Sequence, residues 1–214
     1  ALQKSMFFYQ VQQAGELPEW NEVSWRADSM LKEDGTSADV VPGGWFDAGD
    51  HLKFAITNAY TASVLSWGIM QYKDAVQKAG LYDSYIQNLK WGLDYVAGCD
   101  LGDKVIGTIG DDAFDHVWWG SAEAYIRKFN LMKGTEERPY DEITCVAEMA
   151  AAMAGGYIVF KDVDPEAAAN YLEHAKSLFE LANKTWEEKG DAANDDMGIQ
   201  ETYYSTKHNQ GTDN

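Results

Sequence analysis

Apolar side chains in this chain return every three or four residues in one segment after another, and they nowhere settle into the period-two alternation of a half-buried strand. The spacing predicts helices over 1–14 (Leu2, Met6, Tyr9, Gln13), 58–79 (Tyr60, Val64, Trp67, Met70) and 82–97 (Tyr85, Leu89, Leu93, Val96). It predicts three more over 121–131, 141–160 and 165–188. The last opens on Asp164-Pro165-Glu166, with Asp as N-cap, Pro in the first helical position and Glu in the first turn. The helix over 141–160 carries Ala150-Ala151-Ala152-Met153-Ala154, side chains small enough for close approach to a neighbour. The fold class is therefore all-α, in about six helices.

Between these helices lie two long irregular stretches, 18–57 and 98–121, which are unusual in a compact domain unless they carry function. Antiparallel helices joined by alternately short and long connections could close a bundle. They could equally be half of a double-layered α/α barrel whose long loops gather on one face. The 214 residues suffice for one domain, 1–214, burying roughly 70% of its unfolded surface.

A net charge of −18 repels phosphate backbones, which excludes nucleic acid as a partner but not a neutral polysaccharide. No run of about 20 apolar residues predicts a membrane span. Cys99 and Cys145 are too few and too far apart for a zinc signature, and spacing leaves their pairing open. The chain opens inside a helix, as a secreted protein trimmed of its leader would.

The segment richest in chemistry is Gly43-Gly44-Trp45-Phe46-Asp47-Ala48-Gly49-Asp50-His51-Leu52-Lys53-Phe54. Asp47 and Asp50 stand three residues apart around Ala-Gly, a spacing that lets both carboxylates aim at one point and a ligand approach closely. Two carboxylates on one water polarise it for attack, provided both stay ionised. The plain alternative is a turn with Asp caps and a solvated Lys53. The flanking aromatics and His51 weigh against it. They also make Trp45 and His51 candidates for sugar contact.

This segment closely resembles the signature of glycoside hydrolase family nine, the cellulase-type endoglucanases. The resemblance continues in order through Ala1-Leu2-Gln3-Lys4-Ser5, Gly15-Glu16-Leu17-Pro18, Ser24-Trp25-Arg26-Ala27-Asp28-Ser29, Asp115-His116-Val117-Trp118-Trp119-Gly120 and Glu137-Arg138-Pro139, covering residues 1–190. It implies an (α/α)6 barrel of six helical hairpins, of which this chain supplies about half, and inverting hydrolysis of β-1,4-glucan by an extracellular enzyme. Asp50 looks like the general base and Asp47 its partner on the nucleophilic water. By the same resemblance His116, Trp119, Trp118 and Tyr204 line the substrate cleft. Two adjacent indoles cannot both face inward, so one of Trp118 and Trp119 is expected in the cleft and the other in the core.

The family's general acid, a glutamate far along a longer catalytic domain, has no counterpart here. Glu123, Glu137 and Glu148 match other positions. Inversion needs that acid about 6.5–9.5 Å from the base, so this chain alone is expected to be inactive. A companion chain or a missing C-terminal half would supply the acid and cover apolar faces. A catalytically inactive carbohydrate-binding relative is the alternative, and another hydrolase on the same scaffold a third reading. No cofactor is required. The family's calcium loop is largely lost from the tail 203–214, and calcium wants six to eight oxygens. Asp191, Asp195 and Asp196 read as a solvated loop, Asp111 and Asp112 as a brace or sugar contact, Arg26 with Asp28 as a structural pair, and His174 as having no chemical duty.

Overall fold

A computed structural model describes residues 1–110, 115–129, 137–140 and 143–190. Its elements are α1 (Leu2–Val11), β1 (Lys53–Phe54), α2 (Ala55–Lys78), α3 (Tyr82–Gly98), β2 (Val105–Ile109), α4 (Ala122–Phe129), β3 (Glu137–Tyr140), α5 (Ile143–Phe160) and α6 (Pro165–Lys189). All six expected helices form, with ends shifted by a few residues. The Asp164 carboxylate accepts from the Ala167 N–H at 3.1 Å with Pro165 opening α6, as the sequence predicts.

Three short strands pair antiparallel in the order β1-β2-β3, and period-two alternation gave no hint of them. All five residues of β2 are buried, so no polar face alternates with an apolar one, and β1 is two residues long. Lys53 pairs with Ile109 and Phe54 with Thr108, which fastens the chain just after the Asp47–Asp50 bend to the second irregular stretch.

The apolar spacing that marks α2 as a helix is not the face it buries. Helix α2 turns Ala55, Ala59, Ala62, Leu65 and Ile69 inward, while the periodic stripe of Tyr60, Val64 and Trp67 is exposed, Trp67 at 71%. The physical reason is close helix approach. A methyl on Gly155 of α5 would stand 3.0 Å from the Ser66 Cβ of α2, so small residues form this seam and bulky ones are displaced outward. Helix α3 buries Tyr85, Leu89, Leu93 and Val96 as the spacing predicts, and α6 buries Tyr171, Ala175, Leu178 and Ala182.

By length and composition α5 would span a membrane, but it packs against α2, α3 and α6 and buries Cys145, Val146, Met149, Ala152 and Met153. Its apolarity fits a core helix. Cys99 and Cys145 are both buried, and burial pushes Cys99 up to about 12, which leaves it unreactive. His174 has a structural contact: its Nδ1 lies 2.9 Å from Asp100 Oδ2, joining α6 to the end of α3.

The long irregular stretch after α1 is stitched down at many points. Ala14 N–H donates to the Gly44 carbonyl and Phe46 N–H to the Gln12 carbonyl. Asn58 at the start of α2 accepts from the Trp45 N–H and donates to the Trp45 and Phe54 carbonyls. Gly44 has φ +75°, and a Cβ there would fall 2.6 Å from the Tyr95 ring. Only glycine fits.

Lys53 is not solvated. Its ammonium is buried, 2.9 Å from Asp39 Oδ2, donating also to the Val41 and Gly43 carbonyls and lying 4.7 Å over the Tyr95 ring. One buried cation thereby ties three points of the loop behind the bend to the Tyr95 ring of α3.

Candidate active site

The bend closes through the Asp47 N–H, which donates to the Leu52 carbonyl at 2.9 Å. Gln12, just beyond α1, donates from Nε2 to the Phe46 and Ala48 carbonyls at 3.2 and 2.7 Å. Ala48 and Gly49 are left exposed at the tip, Asp47 is half-buried, and Asp50 is buried at 7% exposure.

Asp50 is held inside the bend, its Oδ1 accepting from the Ala48 N–H at 3.4 Å. Burial raises its pKa above the ordinary carboxylate value, and the negative charge of Asp47 raises it further. Hydrogen bonds from His116 and Ala48 pull the other way without reversing the shift. A carboxylate with a raised pKa is a stronger base whenever it is ionised.

Two Asp-His dipeptides, Asp50-His51 and Asp115-His116, are cross-paired. His51 Nδ1 lies 2.8 Å from Asp115 Oδ1, and the His51 backbone N–H also donates to that carboxylate at 3.2 Å. In return, His116 Nε2 lies 3.5 Å from Asp50 Oδ2. The first pair is closed: both side chains are at most 3% exposed. The second is open, with the His116 side chain 31% exposed.

The two adjacent indoles divide. Trp119, 64% exposed, stacks on His116 with centroids 5.3 Å apart and lies over Gly49, where a Cβ would touch it at 3.4 Å. Trp118 is half-buried, packed with the small cluster of Ala14, Met30, Phe46 and Tyr125 and stacked at 5.7 Å on His51. One indole thus faces outward beside the bend and the other faces the interior.

Asp47, Asp50, His116 and Trp119 are brought together around one exposed bend. Trp45 and His51 are placed otherwise. Trp45 is 4% exposed in the main core, its ring against Gly92, and His51 has both ring nitrogens on protein acceptors. Their direct sugar contact gives way to packing and positioning. Tyr204, Asp111, Asp112, Asp191, Asp195, Asp196 and the tail from Tyr203 lie outside the described residues.

Glu123 is committed elsewhere. Arg26 Nε lies 2.6 Å from its carboxylate, and the Ala27 N–H donates to it at 3.2 Å. Burial would raise its pKa, but the Arg26 and backbone hydrogen bonds together with the Arg26 charge hold it low. Arg26 therefore pairs with Glu123 rather than Asp28, which accepts from the Leu17 N–H instead. A carboxylate so held is a poor proton donor. Glu148 sits on α5 beside Tyr60, a half-buried groove residue.

Where Asp50, Asp115 and His116 converge, their polar atoms are turned on one another and on His51. With two carboxylates and an imidazole, the cluster is poor in oxygens for calcium. Asp115 went unassigned in the sequence, although the repeated Asp-His dipeptide was a visible signal.

The family model of glycosyl hydrolase family 9 matches residues 1–213. Endoglucanase A of Bacillus pumilus is 41% identical over 184 residues, covering 86% of this chain and 28% of that protein. Endoglucanase 2 of Arabidopsis thaliana is 40% identical, covering 86% of this chain and 35% of that one. The chain thus spans about a third of the length of these curated relatives. Among solved structures, endoglucanase CelQ from Clostridium thermocellum complexed with cellotriose superposes with a TM-score of 0.76 at 43% identity, over 90% of this chain and 29% of that chain. The endoglucanase of the termite Nasutitermes takasagoensis superposes with a TM-score of 0.81 at 31% identity, over 95% and 46%.

Proposed function

Since the chain belongs to glycosyl hydrolase family 9 and its helices form part of an (α/α)6 barrel, we propose that it carries the water-activating side of a secreted β-1,4-glucanase. The observation that carries this reading is Asp50: a buried carboxylate of raised pKa at an exposed Ala-Gly tip, with Asp47 beside it and the Trp119 indole over the same bend.

The apolar face of a glucose ring lies on the Trp119 indole. Asp50, ionised, takes a proton from a water that Asp47 helps to hold, and the water attacks the anomeric carbon from the side opposite the leaving oxygen. The configuration is inverted. The leaving oxygen needs a proton in the same event, because an alkoxide departs too slowly unprotonated. With Glu123 locked by Arg26, that acid comes from outside the described residues.

The exposed stripe on α2 and the apolar groove of about 570 Å3 between α5 and α6, walled by Ala147, Ala151, Ala154, Phe179 and Trp186, fit the same reading. They are faces for the remaining helices of the barrel, brought by further sequence or a companion chain. Size-exclusion mass combined with intact-mass spectrometry tests this, and a stable monomer of 23.9 kDa with no further sequence would sink it.

The catalytic test is Asp50→Asn in the complete protein. Turnover of soluble cellulose should fall on the order of 10²–10⁴-fold while cello-oligosaccharide binding persists. A near-normal rate removes Asp50 as the base.

A further inference from the structure

His51 lies where a sugar cannot reach it, with 3% of its side chain exposed, yet both of its ring nitrogens are engaged. Nε2 lies 3.2 Å from the Gly120 carbonyl oxygen. A carbonyl has no hydrogen to give, so Nε2 must carry one. Nδ1 lies 2.8 Å from Asp115 Oδ1. That carboxylate also receives the His51 backbone N–H at 3.2 and 3.3 Å on its two oxygens, and hydrogen bonds received by both oxygens favour its ionised form, which has no hydrogen to give. Nδ1 must then carry a hydrogen as well. A neutral imidazole has only one.

We propose that His51 is a positioning residue held as a buried imidazolium, clamped between the Asp115 carboxylate and the Gly120 carbonyl so as to fix the chain immediately behind Asp50. Charge balance supports this independently. Asp115 is 1% exposed, and a buried carboxylate needs a nearby cation or full hydrogen bonding. His116 stands 4.0 Å away and is turned toward Asp50, which leaves His51 as the closer counter-charge. The ring environment suits a cation too. Tyr125 stacks on His51 at 4.3 Å and 24°, Trp118 at 5.7 Å and 21°, and Phe46 meets it edge-on at 5.8 Å. Aromatic faces attract positive charge.

The consequence reaches the bend. His51 directly follows Asp50, and Asp115 directly precedes His116, the group that reaches Asp50 Oδ2. Two bonds from His51 to one carboxylate hold both dipeptides in register. A neutral His51 would leave one of the two acceptors unmatched and loosen the pair. The positioning role rests on the reading of Asp50 as base; the protonation state does not.

The test is nitrogen NMR on the complete protein with labelled histidine at neutral pH, identifying His51 by through-space contacts to the Trp118 and Tyr125 rings. Both ring nitrogens should bear hydrogens; a bare nitrogen on His51 overturns the proposal. Asp115→Asn keeps the shape but removes the charge. It should strip one ring hydrogen from His51 and lower kcat about ten-fold or more at unchanged KM. A variant with both hydrogens and full turnover would overturn the positioning role. If Asp115→Asn fails to fold, the spectrum of the unaltered protein still decides. If the unaltered protein does not cleave β-glucan, the functional reading fails while the spectrum still reports on His51.

Discussion

His116 Nε2 stands 3.5 Å from Asp50 Oδ2, at the long edge of a hydrogen bond, while the His116 ring lies flat against Trp119. The contact joins Asp50, the proposed base, to Trp119, the proposed sugar platform, through one side chain. A bound glucan resting on Trp119 would therefore bear on the group that partners Asp50. Several consequences can be measured.

Asp50 should cost the fold stability when ionised. Its folded pKa lies above the ordinary value, first because it is buried and then because Asp47 is near. Its favourable contribution is present below the unfolded carboxylate range and is lost as pH rises through the raised folded value. Asp50→Asn should thus raise the melting temperature at neutral pH and leave it little changed in acid. A lower melting temperature at pH about 7 would contradict the raised pKa.

Asp47→Asn should move the acid limb of the pH–rate profile of the complete protein toward lower pH. Removing a neighbouring negative charge favours the ionised form of Asp50 and lowers its pKa. Turnover at the optimum should fall as well, since the water loses one of its two holders. A profile displaced toward higher pH would contradict the like-charge coupling.

Trp119→Ala should weaken cello-oligosaccharide binding by up to about ten-fold, for an aromatic contact worth ~0.5–1.5 kcal/mol. Calorimetry would read it directly. Trp118→Ala, packed on His51 and Tyr125, should instead lower stability and leave Kd nearer its original value. The reverse pattern would exchange their roles.

Lys53→Met should cost about 3–5 kcal/mol in urea unfolding, because it leaves Asp39 as a buried charge without its cation. Asp39 already has one oxygen, Oδ1, without a hydrogen-bond partner. Adding Asp39→Asn should recover part of the loss. No recovery would mean that the carbonyls of Val41 and Gly43, rather than the ion pair, depend on Lys53.

Much of this is legible in the amino-acid sequence. The Asp164-Pro165-Glu166 start of α6 was readable because capping is local: the Asp164 side chain needs only the backbone three residues on. Asp47 and Asp50 stood out because a tight bend fixes their relation within four residues. The buried face of α2 is not legible in the sequence, because periodicity marks a stripe without saying what it meets. Tyr60, Val64 and Trp67 have the right spacing, but Gly155 of α5 draws its neighbour onto Ala59, Ala62 and Ser66. Arg26 was assigned to Asp28, two residues away, when its partner Glu123 is 97 residues on. Sequence proximity carries little information about where a long charged side chain ends.

The amino-acid sequence by itself determined the helices, the Asp164 cap of α6 and the small-residue bend with its two carboxylates, because these follow from contacts within a few residues. Only the tertiary structure decided that His51 meets Asp115 and His116 meets Asp50, that Trp119 faces outward while Trp118 and Trp45 face in, and that Lys53 is buried. Those pairings close across 64–66 residues of chain, and their geometry depends on how β1 and β2 draw the two loops together. Packing sets that distance, and packing is a property of the whole fold.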